Sequence, residues 1–204
     1  MMYILVSGAT VTVRELIVQH PNLGVLLCAK NWNVAPERGT VWAADNSAFA
    51  GFDEAMFIQM LEKIEGRDDC RFVTAPDVVG DHVETLRLWE RWHQRIRDYG
   101  LRPAFVAQDG CLPDMVPWAE AAGVFIGGTT RYKLGEAAAA IVGQGNRMNL
   151  WTHIGRVGTA RRILYAAALG ARSIDSSQFS RWSATHLPWA LRLAKQPILR
   201  MGGA

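Results

Sequence analysis

Short apolar runs alternate along the chain with stretches whose apolar residues recur every three to four positions. The runs fall at 2–6, 24–28, 41–44, 71–75, 103–107, 123–127, 148–154 and 172–175. They show no apolar/polar alternation, as befits strands buried on both faces, and each predicts a β-strand. Helical spacing fills the gaps. In 52–64, Phe52, Met56, Phe57, Met60, Leu61 and Ile64 share one stripe. In 81–99 the stripe is Val83, Leu86, Trp89, Trp92, Ile96 and Tyr99, and Gly100 supplies the stop. Thr159 is placed to cap a helix over 159–169 that Gly170 ends, and 134–142 is a further helical stretch. The first forty residues, with Pro21, Asn31, Asn33 and Pro36, are the least regular part.

Repeated strand–helix order implies a mainly parallel sheet. Eight strands predict an α/β fold, a compact (β/α)8-type (TIM-like) barrel, small against the usual ~250 residues. An open doubly wound sheet is the alternative, but the chain lacks that fold's Gly-rich phosphate fingerprint after a first strand. No internal repeat or linker interrupts the pattern, so residues 1–204 are expected to form a single domain. Segment 197–201 is either a last strand or a tail.

Composition narrows the function classes. A chain of 204 residues, 50% hydrophobic and 20% charged, is ordinary globular protein, not disordered or fibrous. No apolar run is long enough to span a bilayer and the N-terminus has no signal-peptide pattern, which predicts a cytoplasmic protein without a membrane partner. Cys28, Cys70 and Cys111 form no CxxC or Cys/His cluster, so no metal is expected. The net charge of +3 conceals an asymmetry. Residues 147–204 carry nine basic residues against the single acid Asp175, a net +8, while 1–146 carry −5. An anionic partner such as nucleic acid fits that distribution, as does a solvated face.

Polar residues follow the strands. Strand 41–44 runs into Asp45-Asn46-Ser47, 71–75 into Pro76-Asp77, and 103–107 into Gln108-Asp109-Gly110. Strand 123–127 runs into Gly127-Gly128-Thr129-Thr130, 148–154 into Gly155-Arg156, and the last into Asp175-Ser176-Ser177. In a parallel barrel all of these reach the C-terminal rim, where such folds carry their active sites. Any one Asp or Asn there serves readily as a helix cap, and Asp81 and Asp109 are assigned to caps. Capping at five strand ends is a poor account of the whole set. Carboxylates accept from N–H donors, whereas Gln and exposed Gly amides donate to carbonyls. Together they complement a guanine-type edge, with N1–H and N2–H2 donors beside the O6 acceptor. A carboxylate can also attack an anomeric carbon through an oxocarbenium-like transition state. Asp175, the lone acid in cationic surroundings, is the candidate nucleophile.

The blocks Asp45-Asn-Ser-Ala-Phe49, Pro76-Asp77, Phe105-Val-Ala-Gln108-Asp-Gly, Phe125-Ile-Gly-Gly128, His153-Ile-Gly-Arg-Val-Gly158 and Ile174-Asp175 resemble, in order, the tRNA-guanine transglycosylase superfamily. The likeness runs from about residue 40 to 182 and is nearest to the phage and bacterial branch that inserts 7-deazaguanines into DNA. The resemblance implies base exchange at a nucleoside without a cofactor. In it Asp175 matches the nucleophile that attacks C1′, and Asp45 the acid that assists proton transfer and placement. Asp77 matches the reader of the N1–H/N2–H2 edge, and Gln108, Gly127 and Gly128 the O6-binding groups. The incoming base would be a 7-deazaguanine such as 7-cyano-7-deazaguanine.

Two departures bear on this. No cysteine follows Asp175, so the family's zinc site is not expected, and Asn46-Ser47-Ala48 replaces a Ser-Gly-Gly turn before Phe49. The want of a separate RNA-binding domain favours DNA over tRNA. Arg156, Arg161, Arg162 and Arg181 are the candidate phosphate contacts, the first three being equally suited to the outside of a helix. Trp89 and Trp92 fit core packing, and Trp182 is the tryptophan best placed for nucleic acid. His153 is either a hydrogen-bonded barrel histidine or, paired with Arg156, a phosphate contact or a steadying group for the nucleophile loop. Ser176 and Ser177 orient Asp175 or simply make a turn. Three functions follow: the exchange enzyme, a barrel glycosidase or nucleoside hydrolase using Asp45 and Asp175 with water, and a catalytically silent nucleic-acid-binding homologue. A homodimer is left open.

Overall fold

The computed structural model describes residues 1–8, 10–30 and 36–195; segment 197–201 therefore lies outside the described residues, as do Asn31, Asn33 and Arg200. Eight strands are present: β1 (Tyr3–Ser7), β2 (Leu23–Cys28), β3 (Trp42–Asp45), β4 (Cys70–Thr74), β5 (Pro103–Ala107), β6 (Gly123–Ile126), β7 (Trp151–Ile154) and β8 (Ser173–Asp175). They hydrogen-bond in chain order, every pair is parallel, and β8 pairs with β1, closing the barrel. The chain is a (β/α)8 barrel.

Helices α1 (Val11–Gln19), α2 (Glu54–Lys63), α3 (His82–Asp98), α4 (Thr130–Lys133), α5 (Glu136–Arg147), α6 (Ala160–Ala168), α7 (Ser177–Arg181) and α8 (Ser183–Lys195) connect or flank the strands. Their starts are fixed by side chains that accept otherwise unpartnered first-turn amides: Asp53 on α2, Asp81 on α3, Thr129 on α4 and Thr159 on α6. Asp109 caps nothing. Its carboxylate accepts from the amide and hydroxyl of Thr129, tying the end of β5 to the loop after β6. The 148–154 run becomes strand only at Trp151, because Met148 and Asn149, the latter at φ +58°, terminate α5. Helix α1 escaped the periodicity reading. Thr10 caps it and Val13 is buried, but Val11 and Val18 lie in solvent and β-branched residues disfavour helix. None of the described helices is long and apolar enough to cross a membrane.

Strand parity explains the layering, because successive side chains leave a strand on opposite faces. Leu5, Leu26, Ala43, Phe72 and Ala104 form one small cluster, with Tyr3, Cys28, Phe125 and Trp151 packed against it, and this cluster fills the barrel. Their neighbours Ile4, Val25, Trp42, Val73, Phe105, Val124, Ile154 and Ile174 belong to the larger core under the helices, which also holds Trp89 and Trp92. Continuing the inward parity to the strand ends brings Asp45, Gln108, Gly127, His153, Ser173 and Asp175 to the barrel interior.

Candidate active site

Above the apolar plug, the C-terminal strand ends surround an open cavity of about 480 Å³. Asp45, Asp77, Gln108, Gly127, Gly128, Arg156, Asp175 and Arg181 all line it. Arg161 and Arg162 do not. Arg161 is exposed on the first turn of α6, and Arg162 borders a void of about 10 Å³ beside that helix.

The Asp175 carboxylate is held by one oxygen. Oδ1 accepts from the Arg156 amide (3.1 Å) and lies 3.0 Å from His153 Nε2. The hydrogens on the histidine follow from its partners. Trp151 Nε1 can only donate, and it donates to Ser173 Oγ (2.7 Å). Ser173 Oγ lies 2.8 Å from His153 Nδ1, and because a carboxylate oxygen only accepts, it is Nε2–H that donates to Asp175 Oδ1. The imidazole is buried and stacked on Phe125 with centroids 4.5 Å apart, so its aim is fixed. His153 is thus a hydrogen-bonded barrel histidine whose Nε2 contacts the Asp175 carboxylate. Ser176 and Ser177 do not hold Asp175; Ser176 instead caps α7. Gly155 keeps the loop close, since a Cβ there would come within 2.6 Å of the Phe125 ring.

The other carboxylates are set by a second network. Asn46, buried at the end of β3, donates Nδ2–H to Ala75 O (2.7 Å) and Asp77 Oδ1 (2.8 Å), while its amide donates to Thr74 Oγ1 (2.9 Å). Gln108 Nε2 donates to Asp77 Oδ2 (2.6 Å), and its Oε1 accepts from the Gly80 amide (2.9 Å). One Nε2 hydrogen of Gln108 is therefore already used, and its second remains for a ligand carbonyl. Gly127 does not offer its amide, which donates to Ala107 O (2.9 Å) in the β5–β6 ladder. Its lack of a side chain is what the site uses, because a Cβ would sit 2.6 Å from Gln108 Nε2. Gly128, at φ +76°, has an amide with no partner among the described residues. It also lies so close to Asp109 Oδ2 that a Cβ would overlap it.

Burial pushes the Asp45 carboxyl up to about 7; the Ser47 amide opposes the rise, and the nearby Asp77 and Asp175 charges add to it. Burial likewise lifts Asp77 to about 6, against the hydrogen bonds from Asn46 and Gln108. Asp45 Oδ1 accepts from the Ser47 amide (2.6 Å) in a tight turn. Ser47 holds at φ +64° a left-handed conformation that favours glycine. The turn carries Phe49 to the cavity wall, exposed, with the Arg156 guanidinium 3.7 Å above its ring.

Sequence reasoning missed four contributors. Asn46 is placed at the rim by the sequence but given no role there, and Phe49 enters only as part of a motif. Lys133 ends the short helix α4, just before the 134–142 stretch read from the sequence, and Cys28 ends the apolar run 24–28. The cavity wall carries Lys30, Lys133, Arg156 and Arg181 against Asp45, Asp77 and Asp175. Among the described residues no group of three His, Cys, Asp or Glu side chains is placed to hold a metal ion.

No protein-family model and no curated protein matches the chain. Among solved structures it is similar to the tryptophan synthase A-subunit of Pyrococcus furiosus, 10% identical over 95% of this chain and 96% of that one, with a TM-score of 0.56. A native KDPGal structure gives 10% identity, 96% coverage of both chains and 0.53. The Amycolatopsis orientalis BexX/CysO complex gives 13%, 100% of this chain, 95% of that one and 0.51. What they share with this chain is the barrel. At such identities the likeness extends to the fold alone, so the chemistry has to be argued from the cavity itself.

Proposed function

We propose that the protein is a pentosyltransferase that exchanges guanine in DNA for a 7-deazaguanine, such as 7-cyano-7-deazaguanine, through a covalent Asp175 intermediate. The observation that carries this reading is the meeting, in one cavity, of Asp45, Asp77, Gln108 and Gly128 with a carboxylate whose second oxygen is left open. Asp77 and Gln108 form a rigid donor–acceptor edge for a guanine-type base, and Phe49 offers a ring face on which it can stack.

Asp175 Oδ2 attacks C1′ while the bond from C1′ to guanine N9 breaks and its electron pair leaves with the base. Asp45, protonated near neutrality, gives the departing purine its proton. The incoming 7-deazaguanine then loses its N9 proton to Asp45 as N9 attacks C1′ and frees Asp175. Two displacements retain configuration. A target base must first leave the stack, at a cost of a few kcal/mol, and Arg156 and Arg181 at the cavity suit the flanking phosphates.

The test is incubation of guanine-containing duplex or single-stranded DNA with radiolabelled guanine or 7-deazaguanine. Label enters the polymer with wild type and not with Asp175→Asn, and denaturing gels show a protein–DNA adduct only in the former. Release of free base without incorporation identifies a hydrolase, and incorporation into tRNA alone reassigns the acceptor. DNA binding that is indifferent to Asp175→Asn, with no chemistry, identifies a silent binding protein.

A further inference from the structure

Lys133 is a cation that the exchange chemistry does not use. It ends α4 with its side chain 7% exposed, lines the cavity, and donates from Nζ to Gly155 O (3.1 Å). That carbonyl belongs to the same peptide unit as the Arg156 amide, which donates to Asp175 Oδ1. Across a trans peptide the C=O and N–H point to opposite sides, so the ammonium and the carboxylate grip one rigid plane from its two ends. We propose that Lys133 is a positioning residue that fixes and polarises the Gly155–Arg156 peptide and, through it, orients the Asp175 carboxylate for attack. The inference rests on the base-exchange reading for the meaning of that attack.

Three observations support the assignment. Hydrogen bonds in series strengthen one another, so a cation on the carbonyl makes the N–H at the far end a better donor. Arg156 holds φ at +61°, a conformation costly for a side-chain-bearing residue, and an anchor on the preceding carbonyl keeps it there. Burying an ammonium is itself expensive, and a methionine of similar length would fill the space without that cost. The fold keeps the charge where it reaches the nucleophile loop. Burial, helped by the Arg156 guanidinium, lowers the Lys133 ammonium to about 8. Arg156, Arg162, Asp175 and Asp109 are the charged groups that act on it from the neighbouring loops and helix.

The experiment compares wild type, Lys133→Met and Lys133→Arg in single-turnover adduct formation with guanine-containing DNA from pH 6 to 9.5, alongside equilibrium DNA binding. A positioning role gives at least a tenfold slower adduct step in Lys133→Met, with DNA Kd and base KM within twofold. It also removes the inflection near pH 8 and leaves most of the rate in Lys133→Arg. A wild-type rate in Lys133→Met, or a loss that appears in Kd or KM instead of in the step, overturns it. If wild type forms no adduct, the base-exchange reading falls. The positioning claim is then decided by urea unfolding of Lys133→Met, Asp175→Asn and the double variant. Non-additive stabilities uphold coupling through the peptide, and additive ones overturn it.

Discussion

Replacing Asp45 by Asn removes a carboxyl whose native pKa is about 7 against 3.8 for an ordinary aspartate. Between about pH 4 and 7 the folded protein therefore holds a proton that the unfolded chain has released. Stability falls as pH rises through that window, and the full penalty is present above pH 7. A rise of about three units at about 1.4 kcal/mol each sets a ceiling near 4 kcal/mol. Water reaching the cavity reduces it, so the expected gain for Asp45→Asn over wild type is about 2–4 kcal/mol at pH 8, vanishing by pH 4. Asparagine preserves the shape and can still accept from the Ser47 amide, so the difference isolates the charge. The assay is urea unfolding of both proteins at unit pH intervals from 4 to 8. Asp77, held near 6, adds a slope common to both, which is why the difference is the readout. Parallel stability curves for the two proteins would refute the reasoning. The same substitution takes away the proton shuttle of the proposed mechanism, so under that proposal the stabler protein is expected to lose base exchange.

His153→Gln withdraws or misaims a donor from Asp175, and a hydrogen bond to a charged group is worth about 1.5–3 kcal/mol, so adduct formation should slow about 10–100-fold, read by single-turnover kinetics. Gly128→Ala forces a left-handed side-chain residue against Asp109, with an expected loss of about 2–4 kcal/mol in denaturant unfolding. Arg156→Ala with Arg181→Ala should weaken DNA binding and reduce the slope of log K against log salt by about 2, whereas Arg161→Ala should do neither at the cavity. Trp182→Ala tests the exposed ring that the Arg181 guanidinium overlies at 5.6 Å, with weaker DNA binding expected at unchanged fold stability.

The barrel was legible because its information is local and repeated. Eight apolar runs at the right spacing leave few topologies, and right-handed parallel crossovers leave fewer. Positions of site residues were legible for the same reason, since a polar residue at the end of a buried strand has only the rim to occupy. Partnerships were not legible. Nothing along the chain says that Asn46 reaches Asp77, or that Ser173 meets His153, because these contacts depend on the register of neighbouring strands and the turns after them, 20 to 31 residues apart in the chain. Lys133 was hidden by context: a lysine on a helix is ordinarily solvated, and its burial and its bond to Gly155 O appear only in the folded barrel. The α6 arginines show the converse. Their charge was visible, but the helix turns them away from the mouth.

Strand β8 has a consequence for when this protein can begin to work. It follows the other described strands in the chain, it slots between β7 and β1, and it bears Asp175, the attacking group of the proposed exchange. Until that stave is driven home, the earlier acids have no partner to serve and the cask holds nothing. Under the proposed exchange, reactivity toward a sugar would thus require the β7–β8–β1 pairing to be complete, so a nascent or partly opened chain would carry no half-armed centre.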